Sequence, residues 1–410
     1  MDDAEGFFIF RNKYDNVLLH QINHMTLRNG QFLLLVVAFM ISLSRVILKS
    51  VTIVSDVVIA AGSAVNMDIC ILRCERSACK KLLRRIKMKN AKVSVIVPVY
   101  NGSAYIEEAV NSLLMQSYEN TEIIVVNDGS YDNTREILEK ISFEYPSVVV
   151  INQENMGVSE ARNNGISMSC GEFIMFMDSD DKVDIDWIKK AVGHITSGRF
   201  EIAIGGYDVK YRDTGKLDST SCFGDFIAGR DEIIDKVFRH RDILPAIWNK
   251  IYYADIIKQN NIKFDSRYAI GEDLLFLVNY MIHVKKAIAY ADRTYCYFLN
   301  SDGAMQSHNS SREFKESWLT EWTSVNHSEE ILLKNGIKSK SLKVKKVRIA
   351  DKLISIIQRY GYETPLKKEM LCFQRANALS VIMRNEFGFK KKVSILLNCI
   401  SPKLKNMLLF

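Results

Sequence analysis

Three carboxylates stand within four residues at Asp178-Ser179-Asp180-Asp181, directly behind the apolar run Phe173-Ile174-Met175-Phe176-Met177. Acids closing a buried strand carry a desolvation cost unless a counter-charge lies near. A hard divalent cation with oxygen ligands supplies one, and Mg2+ or Mn2+ also clamps phosphates. The competing reading is a solvated turn whose aspartates cap a helix. A second acidic pair, Glu272-Asp273, precedes the apolar stretch Leu274 to Met281. There a helix N-terminus favours anions, and capping by Asp273 alone would also explain the pair.

Such acids need a scaffold that gathers them. Val93-Ser94-Val95-Ile96-Val97-Pro98 has the β-branched, apolar character of a buried parallel strand. Asn101-Gly102-Ser103 breaks it and offers an N-cap. Ile106, Ala109, Val110, Leu113 and Leu114 then share one helix face. A second strand, Glu122 to Val126, ends at Asn127-Asp128-Gly129-Ser130, and Asn133 with Glu136 reads as a capping box. Val148 to Ile151 is a third strand, Ser159 to Ile166 a short helix, Phe173 to Met177 a fourth strand and Glu201 to Tyr207 a further one. This alternation predicts an α/β fold with a mostly parallel sheet flanked by helices. Ligands of such sheets bind at the carboxyl ends of the strands, which groups Tyr100, Asn101, Asp128 and Asp178 to Asp181. No GxGxxG follows the first strand and no GxxxxGK[ST] occurs, which argues against dinucleotide oxidoreductases and P-loop NTPases.

The stretch Val93 to Asp181 closely resembles the glycosyltransferase family 2 domain, with its GT-A fold. The blocks that carry the resemblance are Val95 to Asn101, Val125 to Ser130, Gly157 to Asn163 and Phe176 to Asp181, in family order. Trp248-Asn249-Lys250 and Gly271 to Phe276 look like the later blocks. The resemblance implies an inverting transfer of sugar from a nucleotide diphosphate donor, UDP being the expected carrier, with Mn2+ or Mg2+ as cofactor. It places Pro98, Tyr100, Asn101, Asp128, Arg162, Asp178 and Ser179 around the donor, with Asp128 accepting from the base. Asp178 and Asp180 become the metal-binding DxD, Asp273 the general base, Glu272 its orienting neighbour, and Trp248 a stacking surface for the acceptor. A structural ion pair for Arg162 and a core position for Trp248 are the alternatives. The acceptor implied is a glycan or lipid-linked glycan of bacterial capsule, exopolysaccharide or cell wall, at the inner face of the membrane. One departure stands out: Tyr295 to Ser301 lacks the basic residue many relatives use on the pyrophosphate, and the nearest candidates are Arg293 and His308.

Composition is that of an ordinary globular chain of 410 residues, 48% hydrophobic and 25% charged. The net charge of +7 is local: Arg73 to Lys92 holds nine Lys or Arg against Glu75 alone, so the remainder is near neutral and no nucleic-acid partner is expected. Residues 1–90 form an apolar and basic segment. They read either as membrane-associated, through the runs Phe32 to Leu43 and Val46 to Leu72, or as an over-extended start ahead of Met88. Residues 91–310 are the expected catalytic domain and 311–410 a Lys-rich, mostly helical extension. Phe389 to Leu397 suits either an anionic membrane surface or a covering helix. The eight cysteines form no CxxC pair, and reduced thiols in a cytoplasmic protein fit better than zinc at Cys70, Cys74 and Cys79. Two other functions compete. A metal-dependent nucleotidyltransferase would want a Gly-rich basic loop, which Asn101 to Ala104 is not. A non-catalytic sugar-binding or membrane scaffold would not need both acidic pairs.

Overall fold

A computed structural model of the chain describes residues 90–239, 243–300, 313–383 and 388–402 in full, and six short strands before them. The chain divides into two units, Met1–Lys87 and Met88–Phe410. In the first, β1 (Phe7–Arg11) pairs antiparallel with β2 (Val17–Gln21), and β3 (Thr26–Arg28), β4 (Gln31–Leu34), β5 (Ser50–Val54) and β6 (Val57–Ala61) form an antiparallel sheet. The apolar runs at Phe32 to Leu43 and Val46 to Leu72 thus fall partly on strands and partly outside the described residues, and Cys70, Cys74 and Cys79 lie outside them. Among the described residues no helix is long and apolar enough to cross a membrane.

The second unit is built on one mixed sheet. Its parallel half comprises β7 (Val93–Val99), β8 (Thr121–Asp128), β9 (Val148–Gln153) and β10 (Phe173–Phe176), in the order β9-β8-β7-β10. The crossovers are α1 (Ile106–Leu114), α2 (Thr134–Glu144) and α3 (Val158–Met168). β7 is buried along its whole length, as the run of β-branched residues requires. Pro98 sits inside this central strand without breaking a ladder. The Ile96 carbonyl accepts from Met177 N–H, so Pro98 faces the same side two residues on, where β10 has already ended. The α/β class and the four parallel strands agree with the pattern read from sequence.

Beyond β10 the sheet continues through β11 (Lys182–Val183), β12 (Ile202–Tyr211), β13 (Leu217–Thr220), β14 (Phe226–Gly229), β15 (Lys250–Tyr253) and β16 (Lys286–Leu299). β15 lies antiparallel between β10 and β12, and β12 pairs parallel with β16. The helices here are α4 (Trp187–Ser197), α5 (Arg230–Phe238), α6 (Ala254–Gln259) and α7 (Glu272–Met281). Two expected caps are absent. α1 is preceded by Tyr105 with no side-chain cap, and Asn133 does not cap α2; Asp132 instead accepts from the Thr134 N–H at 3.1 Å. A carboxylate one residue earlier serves the same orphan donors.

The Lys-rich extension forms α8 (Thr320–Lys334), α9 (Lys340–Arg359), α10 (Pro365–Ile382) and α11 (Phe389–Ile400). Trp318, Trp322, Val325, Ile349 and Leu353 join Ile204, Phe276 and Leu277 in one buried cluster, so these helices complete the core of the sheet domain. α11 is docked through Asp351 of α9, whose buried carboxylate takes Lys391 at 2.6 Å, Ser394 at 2.9 Å and Asn398 at 2.7 Å. The covering-helix reading of Phe389 to Leu397 accounts for this packing, and Phe389 and Ile400 stay exposed.

Candidate active site

Helix α3 holds the pivot of the site. Gly165 lets it lie directly against β7, since a Cβ there would come within 2.4 Å of Ile96 Cγ2. That approach sets Arg162, 4% exposed, behind the strand ends. Its Nη2 donates to Asp178 Oδ1 at 3.2 Å, and its Nη1 donates to Glu272 Oε1 at 3.1 Å and Asp273 Oδ1 at 2.8 Å. Carboxylates from the end of β10 and the start of α7, far apart in sequence, thus meet on one guanidinium, whose ring of donors matches this fork geometry. Although burial opposes its charge, the Asp273, Asp178 and Glu272 carboxylates raise the Arg162 pKa further above its ordinary value.

The first turn of α7 presents both acids. Gly271 precedes it at φ 94°, and a Cβ there would run into the Ser324 side chain of α8, so only glycine fits. Asp273 lies inside the helix and is no N-cap, which removes the capping explanation of this pair. About a quarter of its side chain reaches the cleft. Burial holds the Asp273 carboxyl well above the usual carboxylate range, with Arg162 opposing and the charges of Glu272 and Asp178 reinforcing the shift.

The three aspartates after β10 have separate environments. Asp181 is 1% exposed and accepts from Tyr295 Oη–H at 2.7 Å and Phe298 N–H at 2.8 Å. It fastens the turn to β16, and burial with the charges of Asp178 and Asp180 raises its pKa strongly. Asp178 and Asp180 remain at the cleft. Burial and the Asp178 charge raise the Asp180 pKa, while Asn300 Nδ2 donates to one of its oxygens. The Asn300 Oδ1 atom is buried and finds no donor. Among the described residues no group of three or more His, Cys, Asp or Glu side chains is arranged to hold a metal alone. Two carboxylates with a neighbouring orphaned amide oxygen are the hard-oxygen donors that Mg2+ or Mn2+ accepts when phosphates complete its shell. The residues fit such an ion. Ser179, between the two, is partly buried.

Asp128, at the tip of β8, is 4% exposed and already accepts from Gln153 Nε2 at 2.7 Å, Met156 N–H at 2.8 Å and Gly157 N–H at 2.8 Å. Its first role is to shape the β9–α3 turn, leaving at most one acceptor position for a base. Asp128→Ala is therefore expected to lower folding stability by about 1–3 kcal/mol, because buried donors lose their partner. An unchanged urea midpoint would show that the turn does not depend on it. Asn101, at φ 50°, ties the β7 loop to the β8 loop by accepting from Tyr131 N–H at 3.0 Å and donating to Ser130 Oγ at 2.9 Å. Tyr100 is half exposed at the mouth, edge-on to Tyr131 with ring centroids 6.1 Å apart.

Trp248 departs from expectation. It is 5% exposed and stacks on Tyr295 at 4.5 Å and on Tyr297 at 5.6 Å, so the ring has no free face for an acceptor sugar. It supports Tyr295, which in turn holds Asp181. Arg293 is half exposed and lies 4.0 Å from Asp208, and His308 falls outside the described residues.

The residue that sequence reading missed is Arg212, just past β12. Its guanidinium lies over Phe298 at 4.0 Å and Tyr105 at 4.7 Å, and Nη1 bonds Glu108 at 2.9 Å. It is close enough to Asp180 to lower that carboxyl's pKa against the larger upward effects, and its Nε and Nη2 are buried without an acceptor. A lone Arg after a strand carries no motif, so only the topology that sets β12 beside β16 reveals it.

A parallel half-sheet joined to a mixed half, with acids at the strand ends, is the architecture of GT-A glycosyltransferases. S. aureus TarS 1-349, solved in complex with UDP-GlcNAc, shares this fold at TM-score 0.55 and 20% identity, covering 77% of this chain and 88% of that one. Residues 94–261 match the family model Glycosyl transferase family 2. Glycosyltransferase GlyA of Streptococcus pneumoniae is 30% identical over 236 residues, which are 56% of this chain and 32% of that protein. Minor teichoic acid biosynthesis protein GgaB of Bacillus subtilis is 32% identical over 241 residues, or 57% of this chain and 26% of that one. The chain therefore spans only about a third or less of these two relatives.

Proposed function

We propose that the protein is an inverting glycosyltransferase that moves a sugar from a nucleotide diphosphate donor, with UDP as carrier, to a hydroxyl of a bacterial cell-surface glycan. The observation that carries this reading is the Arg162 bridge, which sets Asp178 of the donor side against Glu272 and Asp273 of the acceptor side. The UDP-GlcNAc complex of TarS and the biosynthetic role named for GgaB support the donor class and the glycan acceptor.

In this reading the nucleotide lies along Pro98, Tyr100, Asn101 and the Asp128 turn, and its pyrophosphate reaches Asp178, Ser179 and Asp180. Asp178 and Asp180 would hold Mn2+ or Mg2+, which would supply charge neutralisation for the departing diphosphate. Arg212 offers two unused N–H donors to the same phosphates, filling the role left open at Tyr295 to Ser301. Asp273 in its ionised form accepts the proton of the acceptor hydroxyl as its oxygen attacks the anomeric carbon opposite the leaving group; the raised pKa makes that form more basic and ties activity to a pH high enough to ionise it. Glu272 and Arg162 fix its orientation.

The test is a donor screen on the full chain with Mn2+, following UDP release and the anomeric configuration of the product. Retention of configuration would exclude the displacement, and pyrophosphate release from a nucleoside triphosphate with a sugar phosphate would instead mark a nucleotidyltransferase. Asp180→Asn is expected to weaken Mn2+ binding in calorimetry and to lower turnover by roughly 10²-fold or more. Wild-type Mn2+ affinity in that variant would remove Asp180 from the ligand set.

A further inference from the structure

Strand β16 carries Tyr295 and Tyr297 two residues apart, so both rings lie on one of its faces. Trp248 stacks on each, with centroids 4.5 Å and 5.6 Å away and interplanar angles of 18° and 19°. Tyr295 is fully used by the fold. Its Oη–H donates to Asp181 at 2.7 Å, and the same oxygen accepts from Asp178 N–H at 3.2 Å. The strand is tied to this acidic turn beyond it as well, by Phe298 N–H on Asp181 at 2.8 Å and Asn300 Nδ2 on Asp180. Tyr297 stands between these attachments and is only partly buried. Its hydroxyl has no hydrogen-bond partner among the described residues and is not enclosed by them.

Stacking on Trp248 does not require that hydroxyl, since a phenylalanine would present the same ring. Drawing a phenol partly out of water without a partner costs free energy that the fold does not recover. Its neighbours are the acids of both halves of the site. Burial raises the Tyr297 pKa above its ordinary value, and the charges of Asp181, Asp178, Asp180 and Asp273 raise it further. The phenol therefore stays protonated and neutral, a donor facing the Asp178 and Asp180 pair on one side and Asp273 on the other.

In the transferase reading, the pyrophosphate belongs to Asp178 and Asp180 and the acceptor hydroxyl to Asp273. The transferred sugar lies between them. Ionised carboxylates only accept hydrogen bonds, whereas a hydroxyl both donates and accepts. A sugar hydroxyl that donates to one of these acids keeps lone pairs for an O–H donor, and Tyr297 supplies one.

We propose that the Tyr297 hydroxyl hydrogen-bonds the transferred sugar of the donor, with Trp248 holding the phenol ring in position. The assignment rests on the transferase reading and adds to it a contact made by the sugar alone. Calorimetry on the full chain, with Mn2+ and without acceptor, compares UDP with UDP-glucose, UDP-galactose and UDP-N-acetylglucosamine for wild type and Tyr297→Phe. The sugar nucleotide that wild type binds most tightly should lose about three- to tenfold in affinity in the variant, the scale of one neutral hydrogen bond. UDP should bind both proteins equally, because it has no sugar to lose. That equality also shows that the variant is folded, and its Tm should match wild type because the ring and its stack remain. Unchanged affinity for the sugar nucleotide overturns the assignment. An equal loss for UDP and the sugar nucleotide overturns it too, since the hydroxyl would then serve the diphosphate. Failure of the transferase reading has a different signature: wild type would bind neither UDP nor any of the three sugar nucleotides, and the assignment would fall with it.

Discussion

Asp273→Asn is expected to lower kcat by about 10²–10⁴-fold, the usual scale of general-base loss, while leaving donor affinity unchanged. The carboxamide keeps an oxygen for the Arg162 Nη1–H, so the 2.8 Å contact has a successor. It cannot take a proton from the acceptor. The loss should fall on kcat because the proton is transferred in the transition state. Stability should not suffer. The pKa of this carboxyl is raised in the fold, so its stabilising contribution belongs to the protonated form and fades as pH climbs through the folded value. An amide is neutral at every pH and escapes that loss, so the variant should match or exceed wild type above neutrality. Thermal melts, UDP titration and turnover on the one variant decide the assignment. Near-normal kcat would transfer the role of base to Glu272.

Arg162→Met should have the largest effect on folding. It leaves Asp178, Glu272 and Asp273, each partly buried at the cleft, facing one another with no cation between them. Removing one partner from a buried ionic cluster costs about 3–5 kcal/mol, and the water that reaches these carboxylates sets the expected loss toward the lower end of that range. The deficit has a pH signature. Burial already raises the Asp273 carboxyl's pKa with Arg162 opposing, so loss of that cation raises it further and its protonation stabilises the folded variant as pH falls. Urea denaturation across pH should therefore show the gap between variant and wild type narrowing toward acid. A constant gap would mean that Arg162 acts by packing on Phe264, 5.2 Å away, and not by charge. Arg162→Lys should recover only part of the loss, since one ammonium cannot fork to two elements as the guanidinium does.

The parallel half of the sheet was legible in sequence because each strand is a short apolar run closed by a polar break, the pattern doubly covered strands produce. Asp178 and Asp180 stand out as candidates because they close an apolar strand, and Glu272 and Asp273 because they open an apolar helix; that Arg162 joins the two pairs is not visible in sequence. Nor were other side-chain partnerships legible. Asn133 has the right type and place to cap α2, yet Asp132 makes the bond, because the β7 loop already engages that carboxylate through Ser103 at 3.1 Å. Trp248 reads equally as a stacking platform or a core ring, and only the arrival of Tyr295 and Tyr297 on its faces decides it. Arg212 depends on pairing between β12 and β16, strands separated by three others and three helices in the chain. Such contacts are written in the topology, and a linear reading cannot reach them.

The meeting of Gly271 with Ser324 separates two kinds of boundary. The family match ends at residue 261, before the acids of α7 and well before α8. The core that holds those acids runs on through Trp322 and into α9. The segment that the family model matches is thus shorter than the segment that shares one core, and the helices beyond the match are what hold Glu272 and Asp273 in place. A relative that exchanged this extension for another would have to rebuild, from unrelated residues, the surface on which α7 rests.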